Sequence, residues 1–243
     1  MKDILTLIQI RRSIRGFFDS ERPITKEDLR QILEAARWAP TAHNMQNFEI
    51  IVVDDKKLLK VIGKIRYPIS GTFIRENYQQ LSFSEEELLS KKVGLLASIF
   101  PPSWRTLETK PDKTTCEKMI SRFGKAIQAG PILLIAVYDP RKRAPASEGD
   151  FLGIMSLGCV MENIWLMASS LGIDCQVMSV LSAVPVEKEV KKALDIPEYL
   201  KIAFAFRLGY PISVLADYLR VRRKVEDFTH HNRFGSKTTG AKK

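Results

Sequence analysis

The chain has 243 residues, 45% of them hydrophobic, which is enough for one domain with a large core and short for two. With no run of about 18 apolar residues to span a bilayer and no signal-type apolar stretch at the N-terminus, the reading is a cytoplasmic protein without a membrane partner. The formal charge of +10, from 38 basic and 28 acidic residues, makes no nucleic-acid track: Ser236 to Lys243 form a flexible basic tail with three lysines, and the other basic residues scatter except at Arg11/Arg12/Arg15 and Arg220/Arg222/Arg223/Lys224.

A short amphipathic segment leads into Arg11-Arg12-Ser13-Ile14-Arg15, where three guanidinium groups and a hydroxyl fall within five residues. Arginine's planar fork donates two hydrogen bonds to phosphate oxygens, so this run suits a phosphorylated ligand. Thr25 to Arg37 predicts a helix: Thr25 is placed to cap it, Asp28 sits at the third helical position, and Leu29, Ile32, Leu33 and Ala36 recur at helical spacing. Trp38-Ala39-Pro40 ends it, and a loop rich in small and amide side chains follows. Phe48 to Val53 reads as a strand closed by Asp54-Asp55, and Lys56 to Lys64 resume helical periodicity. From Arg66 to Pro111 the pattern is broken by Pro68, Gly71, Pro101 and Pro102, with one helix starting at Ser84 in a capping box with Glu87. A long irregular segment of this kind reads as a lid or binding element, in which Phe100 and Trp104 are either core anchors or aromatic walls.

Cys116 to Gln128 predicts a helix, and Pro131 to Tyr138 a strand whose continuous apolar run calls for cover on both faces. Asp150 to Gly172 carries the strongest helical pattern, with Leu157, Val160, Met161, Ile164, Ala168 and Leu171 on one stripe and Gly172 placed to end it. Trp165, Leu166 and Met167 make its other faces apolar, so the helix is expected to be central and to bury itself against a second subunit. Cys175 to Ser179 and Ile202 to Leu208 supply two more strands, separated by a helix opened by Pro185. After Gly209-Tyr210-Pro211 too few regularly spaced apolar residues remain for a separate core, and this part is expected to drape over a partner subunit.

Taken in order, Arg11 to Arg15, Ala39-Pro40-Thr41-Ala42-His43-Asn44-Met45-Gln46, Glu162-Asn163 with Leu166-Met167-Ala168 and Leu171-Gly172, Arg207-Leu208-Gly209-Tyr210-Pro211, and the Asn232-Arg233-Phe234-Gly235 ending resemble the FMN-dependent nitroreductase family. The resemblance implies an α+β sandwich with a central, mainly antiparallel sheet flanked by helices, in a homodimer that exchanges terminal segments and holds FMN at the subunit interface. It implies one FMN-binding domain over residues 1–235, with a lid-like insertion at about 66–111 and the tail over 236–243. By the same resemblance Arg11 and Ser13, with Arg12 in the same run and Arg222 or Arg223 from the C-terminal cluster, hold the FMN phosphate and its ribityl neighbours. Arg15 takes the place of a cation near the pyrimidine edge, where it favours the negative charge of the reduced flavin. Pro40, Thr41, Ala42, Asn44 and Gln46 belong to the loop that borders the ring. Gln176, Val177, Met178 and Ser179 belong to the stretch that packs against its other side and offers a backbone amide toward N5. Met178 and Ser179 depart from the glycines or Pro-Glu-Gly of many relatives, and Asn47-Phe48 replaces a frequent Pro-Trp.

The implied activity is hydride transfer from NADH or NADPH through flavin N5 to an electron-poor acceptor of nitroaromatic or quinone type, with no catalytic side chain because the cofactor carries the chemistry. Two alternatives stand beside it: a specialised flavoenzyme of the same fold acting in dehydrogenation, dehalogenation or flavin breakdown, and a non-catalytic FMN-binding protein. Other candidates read as structural. His43 is a packing or hydrogen-bonding residue more than an acid, His230-His231 lack a third ligand for a metal, and Cys116, Cys159 and Cys175 suit neither zinc nor a disulfide. No Rossmann-type fingerprint is present to separate NADH from NADPH.

Overall fold

The computed structural model describes residues 3–66, 74, 80–99, 113–213 and 219–236. In chain order their elements are α1 (Ile4–Ile10), α2 (Lys26–Arg37), β1 (Glu49–Val53), α3 (Lys56–Ile62), β2 (Ser82–Phe83), α4 (Glu85–Lys91), β3 (Leu95–Leu96), α5 (Lys113–Ala129), β4 (Ile132–Tyr138), α6 (Phe151–Ser170), β5 (Asp174–Val177), α7 (Val184–Ala193), β6 (Lys201–Gly209) and α8 (Val225–Phe228). They divide into two compact units, residues 1–67 with 119–215 and residues 68–118 with 216–243.

Helix ends form where local chemistry places them. Thr25 Oγ1 accepts the Asp28 N–H at 3.0 Å and donates to the Asp28 carboxylate at 2.7 Å, opening α2. Asp55 caps α3 by accepting the Leu58 N–H at 2.8 Å. At the end of α6, Gly172 adopts φ +72° and the Ile173 N–H returns to the Ala168 carbonyl at 2.9 Å, a closure that strains a residue with a Cβ.

The first unit is built on a four-stranded sheet in the order β1-β4-β6-β5, with every neighbouring pair antiparallel. The central position of β4 explains its unbroken apolar run, since Ile132 to Val137 are buried on both faces. Alternation sends Ile132, Leu134 and Ala136 of β4 and Phe204, Phe206 and Leu208 of β6 to one side, where they join Ile32 and Ala36 of α2 and Val160, Ile164 and Ala168 of α6. Trp165 meets Phe206 edge to face at 5.3 Å between ring centroids. On the other side α3 and α5 touch backbone to backbone: a Cβ on Gly124 would stand 2.2 Å from the Gly63 carbonyl oxygen. Gly124→Ala is therefore expected to cost about 1–3 kcal/mol through forced separation of the two helices, and an unchanged thermal melting curve would show that no such crowding exists.

The segment Glu148–Ser170 is long and apolar enough, by length and composition, to cross a bilayer. Glu148, Asp150 and Glu162 break a strict apolar run, yet the rest of the helix outweighs them. Its buried residues, Val160, Ile164, Trp165 and Ala168, sit in the core cluster with α2 and the sheet, where a central helix belongs.

The second unit contains the parallel pair β2 and β3, with Ser82 opposite Leu95, and α4. The capping box of α4 is complete: Ser84 Oγ accepts the Glu87 N–H at 3.2 Å, and the Glu87 carboxylate accepts the Ser84 N–H at 3.0 Å. Pro68, Gly71, Phe100 to Pro102, Trp104 and the tail beyond Ser236 lie outside the described residues, as does most of the expected lid.

Candidate functional site

The Arg11–Arg15 run leaves the end of α1 and lies along β5. Ser13 bridges Cys175 in parallel, and the Ile14 N–H donates to the Cys175 carbonyl at 2.8 Å, so the run adds a short rung to the outer edge of β5, whose inner edge pairs with β6. Extended backbone alternates sides: Ile14 is buried in the core and Arg15 is exposed. Arg11 turns toward α6, with Nε 3.0 Å from a Glu162 carboxylate oxygen and the guanidinium 4.3 Å above the Trp165 ring. Arg12 lies near Asp174, whose half-buried carboxyl is pushed up by desolvation and drawn partly back by the arginine. Burial pushes the Cys175 thiol well up, leaving it protonated and inert as a small apolar side chain.

The sequence-predicted segment after Gln176 follows directly. Met178 is buried, and its N–H donates to the Ala205 carbonyl at 2.8 Å, so that amide is engaged within the sheet. A 3₁₀ turn over Ser179–Ser182 begins there, with the Leu181 N–H returning to Met178 and the Ala183 N–H to Val180. As the opening residues, exposed Ser179 and half-buried Val180 have N–H groups outside this ladder. Arg11 to Arg15 and Val177 to Ser179 are thus brought together on one sheet edge.

The Thr41–Gln46 loop is fixed elsewhere on α6. The Ala42 N–H donates to Ser156 Oγ at 2.9 Å, six residues from Glu162 in the same helix and so about 9 Å along its axis. His43, Asn44 and Gln46 hold φ of 49°, 52° and 46°, a costly left-handed cluster with no glycine in it. It is held by the Gln46 N–H on Thr41 Oγ1 at 3.1 Å and by Gln46 Nε2 on Asn44 Oδ1 at 3.1 Å. Pro40, Asn44 and Gln46 are exposed, and Thr41 and Ala42 line a small cleft with Met45, Phe48, Lys142 and Ser156. Asn47 ties the loop to the end of β4 by donating to the Asp139 carbonyl at 2.9 Å and accepting the Asp139 N–H at 3.2 Å.

Asp139 also accepts from Arg141 Nε and Nη2, each at 2.8 Å, and this pairing holds its carboxyl down at about 2. A depressed folded-state value contributes stability above the unfolded value near 4, and that contribution disappears as pH falls through about 2. Asp139→Asn is accordingly expected to flatten the acid side of the stability profile between those limits. A carboxyl-carbon NMR titration of Asp139 with a midpoint near 4 would contradict the pairing.

Arg207 was not among the expected site residues, although a charged residue between Phe206 and Leu208 in a buried strand was a visible signal. It is fully buried in β6, burial lowers its guanidinium to about 10, and it remains charged at neutral pH. Glu162, Trp165 and Ser156 also gained no individual role from sequence, because each acts through a partner distant in the chain. Arg222 and Arg223 belong to the second unit, where both are exposed and the Arg223 guanidinium lies 5.5 Å from the Phe228 ring. His43 is exposed, and His230 accepts the Gly235 N–H at 3.0 Å through Nδ1.

A model of the Nitroreductase family matches residues 8–210. The chain is 47% identical over 64 residues to an Archaeoglobus fulgidus protein described as an NADH dehydrogenase/NAD(P)H nitroreductase, covering 26% of this chain and 36% of that protein. It is 35% identical over 65 residues to the FMN reductase [NAD(P)H] of Bacillus subtilis, covering 27% of this chain and 25% of that protein. These matches span well under two thirds of either relative. A crystal structure of a nitroreductase with bound FMN from Bacteroides fragilis shares the fold at 22% identity and a TM-score of 0.56, covering 94% of this chain and 98% of that one.

Proposed function

The chain belongs to the nitroreductase family, and from that premise we propose that it is an FMN-dependent oxidoreductase passing electrons from NADH or NADPH to an electron-poor small molecule of nitroaromatic or quinone type. The observation that carries this reading is the arginine and serine run laid against β5, the strand that leads into the Ser179–Ser182 turn. That donor set fits the cofactor. Arg11, Arg12 and the Ser13 hydroxyl suit a phosphate and polyol chain, exposed Arg15 suits the pyrimidine edge, and the N–H groups at Ser179 and Val180 suit a planar heterocycle. With Met178 engaged by Ala205, the ring-facing amide is assigned to Ser179 or Val180.

When bound, FMN would supply the redox chemistry, the transfer of hydride between nicotinamide donor and acceptor. The protein's own groups would orient and stabilise: Arg15 would stabilise negative charge at its end of the site, and Pro40 with the strained Thr41–Gln46 loop, through Thr41, Ala42, Asn44 and Gln46, would offer an uncharged wall. A homodimer is part of the proposal. Ile4, Leu5, Phe151, Ile154 and Met155 are all more than half exposed, an unusual apolar surface for a lone protomer. The cytoplasm, which holds both nicotinamide donors, is the compartment this reading expects.

The deciding experiment is an absorbance spectrum of freshly purified protein, before and after anaerobic addition of NADH and then NADPH. Flavin bands that bleach support the proposal and rank the donors, and bands that persist favour a flavin carrier. A colourless protein that takes up no added FMN ends the reading.

A further inference from the structure

We propose that Arg207 is a positioning residue that sets the Arg11–Arg15 strand against the Gln176–Ser179 segment from inside the sheet. The inference rests on the FMN reading for what those two segments hold. Arg207 is fully buried, yet its hydrogen bonds among the described residues go to neutral oxygens. Nε and Nη2 donate to Gln176 Oε1 at 3.1 and 2.6 Å, Nη2 also donates to the Gly16 carbonyl at 2.7 Å, and Nη1 donates to the Ala126 carbonyl. Its guanidinium stacks on Phe18 at 4.6 Å.

Packing alone does not call for this residue. An apolar side chain would fill the space without the desolvation cost of a buried cation that has no carboxylate partner among the described residues. What an apolar side chain cannot do is hold oxygens from three parts of the chain in one rigid plane. Those oxygens are well placed for the site. Gly16 follows Arg15 directly, and Gln176 precedes Val177. The rung between Ile14 and Cys175 lies just before the attachment point in each segment, Ile14 ahead of Gly16 and Cys175 immediately ahead of Gln176. Ala126 stands in the last turn of α5, where carbonyls lack helical partners and the helix dipole favours a cation. A single guanidinium therefore joins the phosphate-side strand, the ring-side segment and a helix end, and the first two cannot shift independently.

The test separates the link from the arginine's contribution to folding. In full-length apo protein, FMN affinity is read by flavin fluorescence and the local link by amide exchange at Ile14. Gln176→Leu removes the side-chain acceptor and is expected to weaken FMN binding about tenfold or more while speeding exchange at Ile14. Gln176→Glu restores an acceptor for Nε and Nη2 and is expected to stay within about threefold of wild type. Leu59→Ala, a core truncation in α3, is expected to lower the melting temperature without changing FMN affinity. Unchanged affinity and exchange in Gln176→Leu, or an equal loss of affinity in Leu59→Ala, overturns the proposal. If Gln176→Leu does not fold, Gln176→Asn, one methylene too short to reach, carries the same expectation. Should wild-type protein take up no FMN, the FMN reading fails by itself, and exchange at Ile14 still decides the role of Arg207.

Discussion

Arg207→Ala is expected to lower the melting temperature by about 10 °C. The guanidinium donates to Gln176, Gly16 and Ala126 from a fully buried position, and truncation leaves those three oxygens facing a cavity. Each unsatisfied buried acceptor costs about 1–3 kcal/mol, reduced where water enters the space left behind. Loss of the stack on Phe18 adds to this, because Phe18 is itself fully buried against Gly209, where a Cβ would come within 2.8 Å of it. A net loss of about 3–5 kcal/mol follows, in the range for breaking a buried charged network. Arg207→Met refills most of the volume but satisfies none of the oxygens, so it is expected to recover only the cavity part of the loss. Thermal and urea unfolding of the apo proteins measure this directly. A melting temperature within about 2 °C of wild type for Arg207→Ala would mean that the buried bonds contribute little beyond their desolvation cost.

Much of the fold is legible because its signals are local. Thr25 with Asp28, Asp55 with Leu58, and Ser84 with Glu87 lie within one turn of each other, and each helix begins where these pairs place it. The apolar run in β4 identifies a strand covered on both faces without any knowledge of its neighbours. What sequence leaves open is everything that depends on distant partners. The Arg11–Arg15 run reads as a group of ligand donors, but Arg11 is already paired with Glu162 and stacked on Trp165, while Arg12 lies near Asp174. The pairing of Ser13 with Cys175 joins distant parts of the chain, and nothing near either residue announces it. The same holds for the proposed ring-side amide: the Met178 N–H is engaged by the Ala205 carbonyl, a partner distant in the chain, and this turns the proposal to Ser179 or Val180. Local strain is equally hidden, since His43 and Gln46 adopt left-handed backbone without the glycine that marks such positions.

Arg15→Ala is the functional counterpart, expected to leave folding intact and change the chemistry. Arg15 is exposed and follows buried Ile14 on the opposite side of an extended strand, so its truncation creates no cavity and is expected to cost no more than about 0.5 kcal/mol in stability. If Arg15 stands beside the pyrimidine edge of FMN, its charge stabilises the reduced, more negative form over the oxidised one. Removing it should make the two-electron midpoint potential about 30 mV more negative, equivalent to about 1.4 kcal/mol. Anaerobic reduction by NADH or NADPH slows as a consequence, whereas FMN affinity in the oxidised state changes less than it does when Arg11 is lost. Because the side chain is exposed, the difference from wild type should shrink as salt is raised toward 1 M, where the screening length falls to about 3 Å. Arg15→Lys keeps the charge and should keep most of the potential, and Arg30→Ala, an exposed change on α2, should not move it. A midpoint potential in Arg15→Ala equal to wild type at low salt would remove Arg15 from the ring, and the cation that favours flavin reduction would then have to be sought among the remaining basic residues.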